Sequence, residues 1–220
     1  MKTVDFYFDF LSPYSYFAWL RLPELQKKFE IKIQPKPVLL AGLLNHWGQK
    51  GPAEIPAKRK YLFKDCLRYA KKNNIEFTVP LTHPFNPLYA LRMGLVETAG
   101  DLQWQVIDCL YKAGWQHRID MGNPDEILKA LKEKALPADA LMEKTFEKAV
   151  KNQLKLNTSE AIERDVFGVP SFVVDSEVFW GNSSIEDLEL FLSGKDPLDK
   201  EKYQELLSRT ASAARQVINN

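Results

Sequence analysis

Few side chains in this sequence have the types and spacing that metal or disulfide chemistry requires. The two cysteines, Cys66 and Cys109, lie far apart and form no CxxC pair, so neither a redox motif nor a zinc knuckle is available. Cysteine is often buried, and both thiols are therefore expected to pack as small apolar groups. His46 and His83 have no metal-ligand spacing and are expected to be surface or hydrogen-bonding residues. No metal site is predicted.

A serine at a predicted strand-to-helix junction is the most notable polar position. Ser12-Pro13 follows an alternating segment and opens an apolar helical stretch that continues to Phe29. Serine is a common N-cap, and proline is favoured at the first helical position. Taken alone, this pattern favours Ser12 as a helix cap.

Two alternating segments flank this helix and predict strands. Thr3 to Phe10 alternates strictly between apolar and polar residues, and Ile31 to Leu39 alternates again. Pro35 and Pro37 in the second segment indicate an edge or irregular strand, because proline cannot donate to a sheet ladder. The opening therefore predicts a β-α-β unit with a parallel pair of strands.

From about Ala41 to Asp165 the pattern is helical and is punctuated by proline and glycine. The candidate helices are Pro56–Asn73, Pro87–Ala99, Leu102–Ala113, Pro124–Lys134 and Asp139–Ala149. This stretch is typical of a helical insertion.

The pattern of strands returns near the C-terminus. Ser171–Val174 and Val178–Trp180 predict a β-hairpin. The segment from Ser183 to Glu186 has the form of a capping box that opens a helix through Ile185–Ser193, and a last helix is expected from about Lys200 to Val217. This layout predicts an α/β thioredoxin-like fold with a helical domain inserted after the first β-α-β unit. Residues 1–40 and 155–220 would form the thioredoxin-like domain, and residues 41–154 the inserted helical domain.

Composition argues against two classes of partner. Lys and Arg number 30 and Asp and Glu number 29, so there is no broad positive field for nucleic acid or anionic lipid. The N-terminal segment carries Asp5 and Asp9 and has no cleavage site of a secretory signal. No apolar run reaches the roughly 18 residues of a membrane span. We therefore expect a cytoplasmic protein with neither nucleic acid nor membrane as partner.

Four segments together resemble the 2-hydroxychromene-2-carboxylate isomerase family. They are FYFDFLSPYSYFA near the N-terminus, the GxxGP of residues 48–52, the stretch Lys58 to Ala70 with Tyr61, Asp65 and Arg68, and the C-terminal FGVPSFVVDSEVFWGN. Kappa-class glutathione transferases and DsbA-like proteins are wider kin. The resemblance covers most of the chain and implies glutathione as cofactor.

The resemblance gives Ser12 a catalytic role. Redox relatives carry CPxC where this chain has Ser12-Pro13-Tyr14-Ser15. A serine cannot form a disulfide, but its hydroxyl can donate a hydrogen bond to a thiolate supplied by glutathione, and the helix N-terminus favours that charge.

The resemblance also implies the remaining cofactor contacts. Val169-Pro170 stands where the superfamily keeps a cis proline, and the Val169 backbone would pair with the glutathione cysteinyl unit. Asn182 and Ser183 occupy the WGN segment, in which relatives follow the asparagine with an acidic residue that accepts the γ-glutamyl ammonium. Gln49 stands where the family often has asparagine. Lys58 matches a position that can meet a carboxylate.

The substrate pocket is expected between the two domains. Aromatic and polar side chains would hold a flat aromatic substrate there; the candidates are Trp47, Phe85, Asn86, Tyr89 and Trp115. The implied function is a glutathione-dependent isomerase that opens and isomerises an aromatic 2-oxo acid in aromatic compound catabolism. Kappa-like glutathione transfer and a non-catalytic thiol- or peptide-binding role stay open as alternatives. The expected partners are glutathione and a small aromatic substrate, and a homodimer is left open.

Overall fold

A mixed four-stranded sheet is central to the computed structural model, which describes residues 1–210. The strands are β1 (Thr3–Phe8), β2 (Lys32–Pro37), β3 (Ser171–Val174) and β4 (Glu177–Trp180), in the order β2-β1-β3-β4. β1 pairs in parallel with β2 and antiparallel with β3, which forms a hairpin with β4. The predicted parallel pair, the hairpin and the edge position of the proline-containing strand are confirmed.

Helix α1 (Pro13–Phe29) connects the two parallel strands. Its apolar face is buried and includes Tyr16, Phe17, Trp19 and Leu22. It ends at Glu30, whose backbone is left-handed with φ of 49° and whose N–H bonds to the carbonyl of Gln26. Such a left-handed residue is a common way to stop a helix.

The insertion between β2 and β3 consists of helices. They are α2 (Leu40–His46), α3 (Pro56–Lys72), α4 (Leu88–Met93), α5 (Val96–Ala99), α6 (Gln103–Trp115), α7 (Pro124–Glu133), α8 (Ala138–Lys144) and α9 (Lys148–Glu163). After the hairpin come α10 (Ile185–Leu192) and α11 (Lys200–Leu207). Among residues 1–210, no helix has the length and apolar character needed to cross a membrane.

Several predicted boundaries were wrong. The segment Pro87–Ala99 forms two helices that are separated at Gly94 and Leu95, and Asp139–Ala149 forms the end of α8 and the start of α9. The last helix ends at Leu207, and the part of its expected span beyond residue 210 lies outside the described residues. The division proposed at residue 154 falls inside α9, and the two-domain boundary stays a prediction.

Side chains pack on both faces of the sheet. Phe6 and Phe8 stack with ring centroids 5.4 Å apart on the face covered by α1 and α6. Tyr7 and Val173 lie in a second cluster on the other face, with Leu43 of α2 and Ala161 of α9. Because β1 is buried on both sides, the residues that follow it are held at a fixed position.

Removing one ring from this core should cost substantial stability. Phe8 is fully buried and its ring lies near those of Phe10, Trp19 and Tyr111. We expect Phe8→Ala to lower the free energy of unfolding by about 3–5 kcal/mol, since it leaves a cavity. Urea denaturation measures this change. Phe146→Ala is the matched control, because Phe146 is exposed and should lose much less; equal losses would contradict the described core.

Candidate active site

Ser12 lies at the N-terminus of α1, immediately after the turn that follows β1. Its backbone N–H donates to the carbonyl of Asp9 at 3.1 Å, and its Oγ accepts from the N–H of Ser15 at 3.2 Å. The residue is 7% exposed. Ser12 is therefore a helix cap, as its sequence context predicted, and its hydroxyl still has a proton to donate.

That hydroxyl lies beside the Val169-Pro170 segment. The Oγ of Ser12 lies 3.4 Å from the carbonyl oxygen of Val169, and the Val169-Pro170 peptide bond is cis, as predicted. Ser171 Oγ donates to the carbonyl of Gly168 at 2.7 Å and fixes the loop from the other side. Among residues 1–210, the Val169 N–H has no hydrogen-bond partner. An open donor thus lies beside the Ser12 hydroxyl.

The WGN segment lies against α1. Gly181 has a positive φ of 93°, and residues Asn182–Ser184 form a single 3-10 turn before α10. The Asn182 carbonyl accepts from Arg21 of α1 at 3.2 Å. The side-chain Oδ1 of Asn182 is buried and has no hydrogen-bond partner in the described part of the chain. A buried acceptor without a donor is uncommon and is a natural place for a ligand group.

The expected capping box is wrong. The 3-10 turn places the Ser184 hydroxyl 2.8 Å from the Gly181 carbonyl, so it does not cap α10. Ser183 is exposed. Neither serine side chain accepts a hydrogen bond from the first N–H groups of α10. Ser183 therefore does not cap this helix.

The loop between α2 and α3 and the first turn of α3 carry the other expected cofactor contacts. Gln49 and Lys58 are exposed, and neither side chain has a hydrogen-bond partner among the described residues. Trp47 donates from its Nε1 to the carbonyl of Val166 at 3.1 Å. This bond joins the start of the loop to the segment that leads to Val169.

The remaining candidate pocket residues lie in different surroundings. Phe85 is buried beside His83, and Asn86 is exposed and accepts from the N–H of Leu88 at 3.1 Å. Tyr89 packs against Phe146. Trp115 is only 1% exposed, stacks on Phe77 and donates to the carbonyl of Phe10 at 3.0 Å. Its ring belongs to the core and has no surface open to a ligand.

The structure adds two residues whose importance the sequence did not reveal. His83, in a second cis peptide bond with Pro84, places its Nε2 3.0 Å from the carbonyl of Leu11, next to Ser12. Tyr14 donates to Asp65 of α3 at 2.8 Å. These contacts connect the Ser12 turn to the insertion. Asp65 is part of a motif quoted above, which was the only available signal for this pairing.

Neither cysteine is poised to react. Both are free and buried, which confirms their packing role. Burial, together with the charge of nearby Asp65, raises the pKa of the Cys66 thiol to about 12. Burial also raises the pKa of Cys109, to about 11. Any thiolate at this site must therefore come from another molecule.

A carboxyl group is enclosed directly behind Ser12. Asp9 is fully buried, and its two oxygens accept from the N–H groups of Leu11 at 3.0 Å and Leu40 at 2.9 Å. Burial raises the pKa of Asp9 to about 6, although both backbone hydrogen bonds lower it.

Comparison with known proteins identifies the family. Residues 3–193 match the family of the DSBA-like thioredoxin domain. The chain belongs to this family. The expected thioredoxin-like fold with a helical insertion is thereby confirmed.

Relatives within the family agree with the resemblance. The chain is 31% identical over 193 residues to 2-hydroxychromene-2-carboxylate isomerase of Sphingobium xenophagum, which covers 87% of this chain and 98% of that protein. It is 30% identical over 210 residues to human glutathione S-transferase kappa 1, with 88% and 92% covered. A solved structure of 2-hydroxychromene-2-carboxylate isomerase superimposes with a TM-score of 0.77 at 25% identity, over 94% of this chain and all of that one (100%).

The burial of His83 generates a pH prediction. Burial lowers the pKa of His83 below its ordinary 6.5. In the window between the folded and unfolded pKa values the unfolded chain binds more protons, so stability should rise with pH. This contribution is present above the unfolded value and is lost as pH falls below it through the folded one. His83→Gln should flatten the corresponding part of the stability curve, which lies below pH 6.5.

Proton NMR of the histidine Cε1–H measures the midpoint directly, with His83→Gln supplying the assignment. The expected midpoint is below 6.5. A midpoint at or above this value would show that the imidazole is charged beside the Leu11 carbonyl.

Proposed function

We propose that the chain binds glutathione and acts as a glutathione-dependent isomerase similar to 2-hydroxychromene-2-carboxylate isomerase. The observation that carries this proposal is the meeting of Ser12 Oγ and Val169 at the N-terminus of α1, in a turn without cysteine. Glutathione can be bound through its thiolate and through its peptide backbone. At this site the Ser12 hydroxyl and the α1 N-terminus can stabilise the thiolate, and the unpaired Val169 N–H can donate to the backbone.

The residues fit glutathione in three places. The unpaired Val169 N–H can donate to a carbonyl of the cysteinyl unit. The buried Oδ1 of Asn182 can accept from an N–H of the ligand. Gln49, on the loop between α2 and α3, and Lys58, in the first turn of α3, are exposed and can meet its carboxylate or amide groups. When bound, glutathione supplies a thiol nucleophile for reversible addition to a conjugated substrate.

Ser12 has two tasks in this proposal. Its hydroxyl turns from the Val169 carbonyl to donate to the thiolate, and it keeps the α1 N-terminus open toward that charge. Both interactions favour the ionised thiol over the neutral one, so they lower its pKa. No general base on the chain is then required to deprotonate the thiol near neutral pH.

The aromatic substrate would approach from the insertion. Trp47 is partly exposed and tied to Val166, while Phe85 and Tyr89 lie on the helical side. We place the substrate between these elements, with a flat ring against an aromatic face. Asn86 offers a polar contact at the surface.

Glutathione transfer is the second candidate, and the kappa-class relatives favour it. The two reactions share the thiolate but differ in product, because isomerisation returns glutathione and transfer consumes it. Free thiol counted before and after turnover of a conjugated aromatic 2-oxo acid separates them. A protein that binds glutathione and turns over neither substrate class would be the non-catalytic alternative.

The role of Ser12 can be tested on the bound thiol. We expect the pKa of the glutathione thiol to fall well below the ordinary 8.5 of a cysteine on binding, and Ser12→Ala to raise it again by about one unit, equivalent to ~1.4 kcal/mol. Thiolate absorbance in the ultraviolet measures both values. Asn123→Ala is the matched control, since it removes the polar cap of a different helix, α7, and should leave the thiol pKa unchanged. Equal thiol pKa values in wild type and Ser12→Ala would refute the assignment.

Ser183 provides a second test, because it is neutral where relatives carry a carboxylate. It has no capping role, so Ser183→Asp should leave the fold intact. A charged hydrogen bond typically contributes about 1.5–3 kcal/mol, so this variant should bind glutathione roughly tenfold more tightly or better.

Isothermal titration measures that affinity. Ser176→Asp, in the exposed turn of the hairpin, adds the same charge elsewhere and should not change it. Identical affinities for wild type and Ser183→Asp would indicate that the γ-glutamyl ammonium is bound by other groups, such as those on the first turn of α10, or that glutathione is not the ligand.

A further inference from the structure

Asp9 connects three segments that form the site. Its backbone carbonyl accepts from the N–H of Ser12, one side-chain oxygen accepts from Leu11, and the other accepts from Leu40 at the first turn of α2. The first two bonds shape the turn between β1 and α1. The third joins that turn to the start of the insertion.

The bond to Leu40 belongs to a closed ring of contacts around the site. α2 leads from Leu40 to Trp47, and Trp47 donates to the carbonyl of Val166. Val166 precedes Val169, whose carbonyl accepts from Ser12 Oγ. The Asp9 carboxylate closes this ring on the side of the fold interior, so its loss would release the Ser12 turn from α2.

No cation explains the burial of this carboxylate. Among residues 1–210, Asp9 forms no ion pair, and the Tyr111 hydroxyl of α6 is a titratable group close enough to be affected by its charge. Tyr111 is fully buried, and both burial and the Asp9 charge raise its pKa. His83 is the nearest imidazole to this turn, through its contact with the Leu11 carbonyl. A buried acid without a counter-ion is costly for stability, and titratable groups with shifted pKa values cluster at functional sites.

The geometry requires two acceptors. A carboxylate can accept from both N–H groups. An asparagine has one acceptor oxygen and places its NH₂ donor opposite the second N–H, and the hydroxyl oxygen of a protonated carboxyl accepts much more weakly than a carboxylate oxygen. Protonated Asp9 and Asp9→Asn should therefore disturb the turn in the same way.

We propose that Asp9 is a positioning residue of the Ser12 site: its ionised carboxylate holds the Ser12 turn against the first turn of α2, and the loss of its charge uncouples them. The consequence for glutathione rests on the proposed function, but the coupling itself does not.

Protonation links this role to acidic pH. The pKa of Asp9 in the folded protein, about 6, lies above its ordinary 3.8, so the folded state holds the proton more tightly than the unfolded chain. The protonated Asp9 carboxyl therefore contributes stability that is fully present below the unfolded-state pKa and is lost as pH rises through the folded-state pKa. Above that pH the carboxylate is charged at a cost in stability, and this charged form is the one that orders the site.

Amide NMR of the ligand-free protein tests the coupling. In wild type, three amide resonances should shift together with pH and share one midpoint at about pH 6. They are those of Leu11, Ser12 and Leu40. In Asp9→Asn this titration should be absent, and the three resonances should lie toward their acid positions at every pH. Asp5→Asn is the matched control: it removes a charge from β1 that pairs with Lys36 and Arg164 and should leave the titration as in wild type. A Ser12 amide that stays fixed while Leu11 and Leu40 shift would overturn the proposal.

Glutathione binding gives the functional readout. At about pH 7.5, Asp9→Asn should bind glutathione about tenfold more weakly than wild type, with a smaller fraction of the bound thiol ionised. Wild type at about pH 5 should approach the same affinity and thiolate fraction. Asp5→Asn should bind as wild type does. Unchanged affinity and thiolate fraction in Asp9→Asn would refute the positioning role. If wild type binds no glutathione but the three amides titrate together, the proposed function fails and the coupling by Asp9 stands.

Discussion

The contact between the Ser12 hydroxyl and the Val169 carbonyl brings together the two segments that form the candidate site. It joins the N-terminus of α1 to the loop before β3, two parts of the chain that are 157 positions apart. The Ser12 side chain is polar and small, so it leaves space beside the N-terminus of α1. The sheet brings the two loops together, because β1 and β3 are neighbours and both are buried.

The insertion contributes to this site mainly by hydrogen bonds that hold the Ser12 turn in place. His83 reaches the Leu11 carbonyl, Tyr14 reaches Asp65, and Asp9 reaches Leu40, so three separate bonds tie the Ser12 turn to the insertion. Preorganised donors stabilise charge more effectively than mobile ones, since they need no rearrangement when the charge forms. A rigid turn is therefore consistent with a site that stabilises a thiolate by fixed dipoles.

Local sequence patterns predicted the strands and helix that form the site. They did not predict side-chain burial or contacts between distant residues, which depend on tertiary packing. Ser12-Pro13 and the alternating strand are readable because a few adjacent residues determine them, whereas the cis proline was expected from the family resemblance. The burial of Trp115 and the pairing of His83 with Leu11 depend on where α6 and the preceding loop lie, which no local pattern gives. The capping box failed for a related reason: a 3-10 turn redirected the Ser184 hydroxyl to Gly181. The ligand contacts and the function came from a family resemblance, and the roles of single residues stay proposals.

The central claim is that glutathione lies with its sulfur at Ser12 and its cysteinyl backbone along Val169. A crystal structure of the complex tests this most directly. We predict the sulfur within hydrogen-bond reach of Ser12 Oγ and a ligand carbonyl on the Val169 N–H, with the Val169-Pro170 bond still cis. A sulfur bound elsewhere, with the Ser12 hydroxyl still donating to the Val169 carbonyl, would contradict the account.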